Sequence, residues 1–246
     1  MSTPSQRLGA AAAPPPAAPS WFLLTGHHLA AKLFARSGLV RRKAVNVGEI
    51  AGYVAWLRDT FGSARPLKHR ESLWERMAAE LDGADAVHGV EFGVAWGYAS
   101  AWWLRRLPSP ALRWDGFDRF TGLPRAWRGY ESGQFDAGGS TPAIDDARVS
   151  WHVGDVEDRL GDLSLDRRDG ERLVVLFDLD IYEPSLAAWN HVRPSLQRGD
   201  LLYFDEAFDA DERRLLVQHV LPSGRFTVIG STPMALALRV ESPDER

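Results

Sequence analysis

Residues 173–184 read LVVLFDLDIYEP, and residues 200–209 read DLLYFDEAFD. Each stretch carries an apolar run, 173–177 and 201–204, with the length and composition of a strand buried on both faces of a parallel sheet. Each run then turns acidic, into Asp178-Leu179-Asp180 and Asp205-Glu206. Open α/β sheets bind ligands in the crevice beyond the carboxyl ends of their strands, so these five carboxyl groups fall where such a fold does its chemistry. Residues i and i+2 of a strand share a face, which gives Asp178 and Asp180 one direction. Clustered hard oxygen donors suit Mg²⁺ or a similar divalent cation. A single acidic pair at a strand end more often faces water. Two pairs on successive strands favour a site.

Working outward, the remaining patterns alternate strand and helix. Helices are expected over 50–61 and 71–81, the first preceded by Asn46-Val47-Gly48-Glu49 at capping-box spacing. Strands are expected over 87–92, 112–118 and 149–153, with helices over 98–106 and 156–160. After the strand at 173–178 come a helix over 184–196, the strand 201–204 and a helix over 210–220. Segments 226–229 and 235–240 close the chain as an antiparallel pair. This alternation means an α/β fold with a mostly parallel sheet. The stretch 119–148, rich in Gly, Pro and aromatics, is long for a loop in a compact domain, and such loops usually serve as lids. Trp127 and Tyr130 within it are placed to stack on a ligand.

The first strand–helix turn, EFGVAWG, holds Glu91, Gly93 and Gly97. Glycine there permits positive φ and a close backbone approach to a ligand. The following helix offers free N–H groups. The GxGxxG of a dinucleotide site is absent, and Glu91 would repel a pyrophosphate, so a ligand with a positive amino or sulfonium group fits better. Asp118, ending the second strand, is positioned to accept from ribose hydroxyls. Asp155, after the third strand, can meet an adenine amino group or cap the helix that starts at Val156. His88, His152 and His191 each read as structural, with His191 the best placed to support the site.

Composition narrows the function further. The chain has 246 residues, 45% of them apolar, enough for one large α/β domain with an N-terminal addition. A net charge of −4 argues against nucleic-acid binding, which needs a basic face. Cysteine is absent, which removes disulfides, thiolate metal sites and cysteine nucleophiles and fits a cytoplasmic enzyme. No apolar run approaches the roughly 20 residues of a membrane span. Residues 1–20 read as a disordered Ala/Pro-rich tail, 21–82 as an N-terminal helical segment and 83–246 as the ligand-binding domain. Residues 21–40 are amphipathic and are expected to pack on the domain or on a sister subunit, which makes a homo-oligomer the expectation.

EFGVAWG, FDRFTGLP, Gly133-Gln134-Phe135, VGDVEDRL, DLDIYEP and Asp205-Glu206 occur in that order over about 71–220. Together they resemble the macrocin O-methyltransferase type of S-adenosylmethionine (SAM)-dependent methyltransferase, which modifies sugars on natural products. The resemblance implies a class I methyltransferase, Rossmann-like fold: a mostly parallel seven-stranded sheet flanked by helices. It implies SAM at Glu91, Gly93, Gly97, Asp118 and Asp155. It also implies Mg²⁺ or a similar cation at Asp178, Asp205 and Glu206, with Asp180 as general base toward a hydroxyl of a small-molecule acceptor. Glu206 stands where that family usually has aspartate, and Arg119 follows Asp118 where a small residue is usual. A catechol or phenol acceptor, or a catalytically silent SAM-binding module, would use much of the same constellation.

Overall fold

The structure, a computed structural model, describes residues 38–62 and 66–243. The chain divides into two compact units, 1–44 and 45–246. Of the first, only the backbone of 38–44 is described, as helix. The expected tail at 1–20 and the segment 21–37 lie outside the described residues. No helix among the described residues is long and apolar enough to cross a membrane.

Helix α1 (Gly38–Phe61) and α2 (Arg70–Ala79) precede β1 (Ala86–Phe92), α3 (Tyr98–Arg106), β2 (Leu112–Asp118), β3 (Val149–Val153) and the short α4 (Val156–Arg159). Then come β4 (Glu171–Phe177), α5 (Tyr182–Val192), β5 (Leu201–Phe204), α6 (Ala210–Leu215), β6 (Gly224–Ser231) and β7 (Leu236–Pro243). The seven strands form one sheet in the order β3-β2-β1-β4-β5-β7-β6. The first five are parallel, and β7 runs antiparallel to both neighbours. This is the class I methyltransferase arrangement the sequence led us to expect.

The apolar runs explain why the strand ends line up. On one face Phe117, Phe92, Phe177 and Phe204 stack side by side across β2, β1, β4 and β5, with ring centroids 5.2, 5.7 and 4.9 Å apart. All four are fully buried, each burial contributing about 1.5–3 kcal/mol. Trp189 of α5, together with Leu215 of α6, covers this face. The other face packs Trp114, Leu176 and Tyr203 beneath Trp74 and Trp103. The ladder pairs Phe92 with Phe117 and Phe177, and Phe177 with Phe204. The residues that follow, Gly93, Asp118, Asp178 and Asp205, therefore emerge side by side at the carboxyl edge.

Two local expectations are corrected. Asn46 and Glu49 do not form a capping box, because α1 runs unbroken from Gly38 through both of them. Gly48 is tolerated inside the helix, and the two side chains instead meet Arg128 of the long loop. Asp178 and Asp180 do not share a strand face, because β4 ends at Phe177. Asp180 sits in a tight turn with φ 63°, and the Ile181 N–H donates to the Leu179 carbonyl at 2.6 Å.

Candidate active site

A cavity of about 1130 Å³ opens at the carboxyl edge of the sheet. Its walls bring together every residue singled out above for the ligand, the cation and the base except Gly97, which lies behind Val94, Ala95 and Trp96 of the lining.

Asp178, Asp205 and Glu206 place one carboxylate oxygen each within 4.8 Å of one another. The adjacency of β4 and β5 causes this: the Asp205 N–H donates to the Phe177 carbonyl at 3.0 Å. Glu206 lies past the strand end, so it escapes strand alternation and turns inward beside its neighbour. Its carboxyl bonds that of Asp178, while its Oε2 is buried without a partner. Burial first, then the neighbouring carboxylates, push the Asp178 and Glu206 carboxyls well above the ordinary range. Three converging carboxyl groups, one with an orphaned buried oxygen, have the chemistry of a site for a hard divalent cation. Asp205 also accepts from Arg70 Nη1 at 3.2 Å and from the Tyr203 hydroxyl. Sequence reasoning missed both partners. Tyr203 was within reach, being two residues before Asp205, but nothing in the sequence joined Arg70 to it.

Behind this cluster Glu212, also missed, is fully buried and accepts from the Glu206 N–H at 3.0 Å. That bond fixes the backbone of the least constrained carboxylate. Asp180 lines the same cavity. Its carboxyl is pushed up to about 7, first by burial, then by Asp205 and Asp209, with Arg128 opposing. A carboxyl balanced near neutrality in a cavity is suited to taking a proton.

Three details define the ligand end. Asp118 Oδ2 accepts from the Val94 and Ala95 N–H groups at 2.8 and 2.7 Å, and Oδ1 from Phe120 at 2.6 Å. Asp118 thus shapes the first turn itself, leaving its remaining lone pairs for a ligand. Gly93, with φ 90°, is needed for packing: a Cβ there would lie 1.8 Å from the Asp178 carbonyl oxygen. Gly97, with φ 77°, is likewise pressed on Pro142. Asp155 occupies the N-cap position of α4, yet its side chain makes no cap bond and pairs with Arg119 at 3.1 Å. That leaves the cap reading without support and keeps Asp155 on the cavity wall.

Glu91 is buried, accepting from Ser100 Oγ and, at 3.1 Å, from Trp114 Nε1. Burial is the main cause that pushes its carboxyl up to about 8. The folded pKa exceeds the unfolded one, so the folded state holds the extra proton between about 4.5 and 8, and stability falls as pH rises through that window. Glu91→Gln is therefore expected to raise the melting temperature at pH 8 relative to the parent and to give little or no gain below pH 4.5. Thermal unfolding of both proteins across pH 4–9 checks this.

His88, His152 and His191 stay out of the cavity lining. His88 and His152 both bond Asp115, at 2.8 and 2.7 Å, across β1, β2 and β3. His191 keeps a buried Nε2 without a partner. Trp127 and Tyr130 do line the cavity, but they stack on each other, centroids 6.0 Å apart and 16° from parallel.

No protein-family model matches this chain, and no curated protein does. Solved structures resemble it in fold. CalS11, a calicheamicin methyltransferase, is 22% identical with a TM-score of 0.55, the match covering 78% of this chain and 91% of that one. The O-methyltransferase NovP is 15% identical with a TM-score of 0.51, over 73% of this chain and 84% of its own. At these identities the likeness shows the fold.

Proposed function

We propose that the protein is a SAM-dependent, Mg²⁺-assisted O-methyltransferase acting on a hydroxyl of a sugar or other small natural-product acceptor. One observation carries this reading: a single cavity joins Glu91 and Asp118, suited to a sulfonium-bearing nucleoside, to four carboxyl groups suited to a cation and an acceptor proton. The folds it resembles, a calicheamicin methyltransferase and an O-methyltransferase, point the same way.

When bound, SAM supplies the methyl group, and a divalent cation makes a coordinated hydroxyl easier to deprotonate. The chain does the rest. Glu91 lies beneath the first turn, where a bound sulfonium would favour its ionised form over the protonated one. Asp118 accepts from ribose hydroxyls while holding the turn in shape, and Asp155 lies toward the base. Asp178, Asp205 and Glu206 hold the cation. Asp180 takes the acceptor's proton, and the loop wall of Trp127 and Tyr130 keeps the acceptor oriented and water out. A homo-oligomer and a cytoplasmic setting are proposed on the sequence alone.

Transfer of labelled methyl from SAM, screened over sugars, glycosylated natural products and catechols, tests the reading. Sugar-linked hydroxyls are expected to accept. Transfer to catechols alone would move the acceptor class, and cofactor binding without any transfer would identify a silent module.

Asp118→Ala is expected to weaken S-adenosylhomocysteine binding by about 1–3 kcal/mol, since ribose hydroxyls and three backbone N–H groups lose their acceptor. Calorimetry measures it, and unchanged affinity would remove Asp118 from the cofactor site.

A further inference from the structure

The sheet fixes the carboxylate side of the cavity, while the opposite wall belongs to loop 119–148. The base of that loop is anchored by buried Phe120 and Leu123 and by a bridge between Thr121 and Asp136. Its tip is a tight pair in which Trp127 and Tyr130 exchange backbone hydrogen bonds at 2.9 and 2.7 Å. Arg125 and Arg128 both tie the tip region to the rest of the domain. Arg125 pairs with Glu183, but both are well exposed, and such pairs hold little. Arg128 is different. It is 13% exposed, Nη2 donates to Asn46 Oδ1 at 2.6 Å and to Glu49, Nη1 donates to Asp209, and its guanidinium lies 4.8 Å from the Phe208 ring centroid.

These partners come from two distant places. Asn46 and Glu49 lie three residues apart, on one face of α1. Asp209 is buried and caps α6, accepting from the Asp211 N–H at 2.8 Å. It follows Asp205 and Glu206 by only a few residues, on the segment that carries two of the cation ligands. Arg128 therefore registers the loop tip against both α1 and the carboxylate cluster.

We infer that Arg128 is a positioning residue that latches loop 119–148 over the carboxylate cluster, and that its release opens the acceptor side of the cavity. The inference deepens the methyltransferase reading and rests on it for what is admitted. Two features make this a latch with an open state. Without the guanidinium, Glu49 and Asp209 face one space as unpaired like charges, one of them buried, so the closed loop is held by its attraction to both. Arg128 itself is held at φ 48°, a left-handed conformation that a non-glycine residue keeps only while its contacts hold. Opening relieves that strain and leaves the two carboxylates unpaired, and the two effects together set the balance between closed and open. The cofactor end is shaped by Asp118 and the first turn, and neither is a partner of Arg128.

The test uses the full chain and hydrogen exchange read by mass spectrometry, with S-adenosylhomocysteine calorimetry alongside. In Arg128→Gln, amides of the loop tip are expected to exchange about tenfold faster or more, with α5 and β4 unchanged and S-adenosylhomocysteine affinity within about threefold. Arg128→Lys should restore part of the protection. Glu49→Gln alone, which removes one anchor on α1 and leaves the loop sequence untouched, should speed exchange of the same loop-tip amides by a smaller factor. Unchanged loop exchange in Arg128→Gln overturns the latch, as does acceleration spread equally over the whole domain. These readouts need no turnover, so they decide the latch even if no acceptor is ever methylated.

Discussion

In excess EDTA the protein is expected to stop transferring methyl groups while still binding S-adenosylhomocysteine. The separation follows from the sheet. The residues proposed for the cofactor, Glu91 and Asp118, lie at β1 and β2, and those proposed for the cation lie past β4 and β5. Asp178→Asn and Asp205→Asn should each lower cation affinity by about a hundredfold or more, since even outer-shell partners of a metal are worth 10–100-fold. A second consequence is less obvious. Asp178 and Glu206 are held with carboxyls well above the usual range, so without a cation the folded state binds extra protons and loses stability as pH rises. Asp178→Asn removes one of those charges and is expected to melt higher than the parent in EDTA at neutral pH, then to gain less from added Mg²⁺. Arg70 already offsets part of the charge on Asp205. Full turnover in EDTA, or equal Mg²⁺ stabilisation of the parent and Asp178→Asn, would reject the cation site.

The fold was legible because its signals are local and strong. The apolar runs at 173–177 and 201–204 specify buried strands, and their acidic ends specify the edge where the cavity opens. That two carboxylates would meet around one point depended only on β4 and β5 being neighbours, which their register supplies. What escaped the sequence was long-range pairing. Arg70 and Asp205 stand 135 residues apart, and Arg128 and Asp209 stand 81 apart. No periodicity links such partners. The Asn46–Glu49 spacing shows the opposite hazard. It matched a local motif, yet the helix had already begun at Gly38, and the two side chains were committed to a distant arginine. Gly93 and Gly97 take the positive φ their turn position suggests, and each also abuts a neighbour, the Asp178 carbonyl and Pro142, that the turn alone does not reveal.

Asp180→Asn is expected to fold, bind cation and cofactor, and lose about a hundredfold or more in rate, the usual scale for a missing general base. The substitution is unusually clean at this position. Asp180 is held at φ 63°, and asparagine tolerates the left-handed region as well as aspartate does. The turn therefore keeps its shape and only the capacity to accept a proton is lost. Asp180→Ala would add backbone strain to the chemical loss and confound the two. The pH dependence gives an independent check. With the carboxyl pushed up to about 7 chiefly by burial, the base is protonated in acid, so the rate should climb as pH rises through neutrality and level off above it. A bound cation favours the ionised form and moves that limb toward lower pH. Arg128 acts in the same direction, since its charge opposes the rise. Releasing the loop by Arg128→Gln should therefore shift the limb toward higher pH as well as loosening the wall. In Asp180→Asn the limb should vanish along with the rate. Near-normal turnover in that variant, or an unmoved acid limb, would take Asp180 out of the proton's path and leave the cation to activate the hydroxyl with solvent as the acceptor.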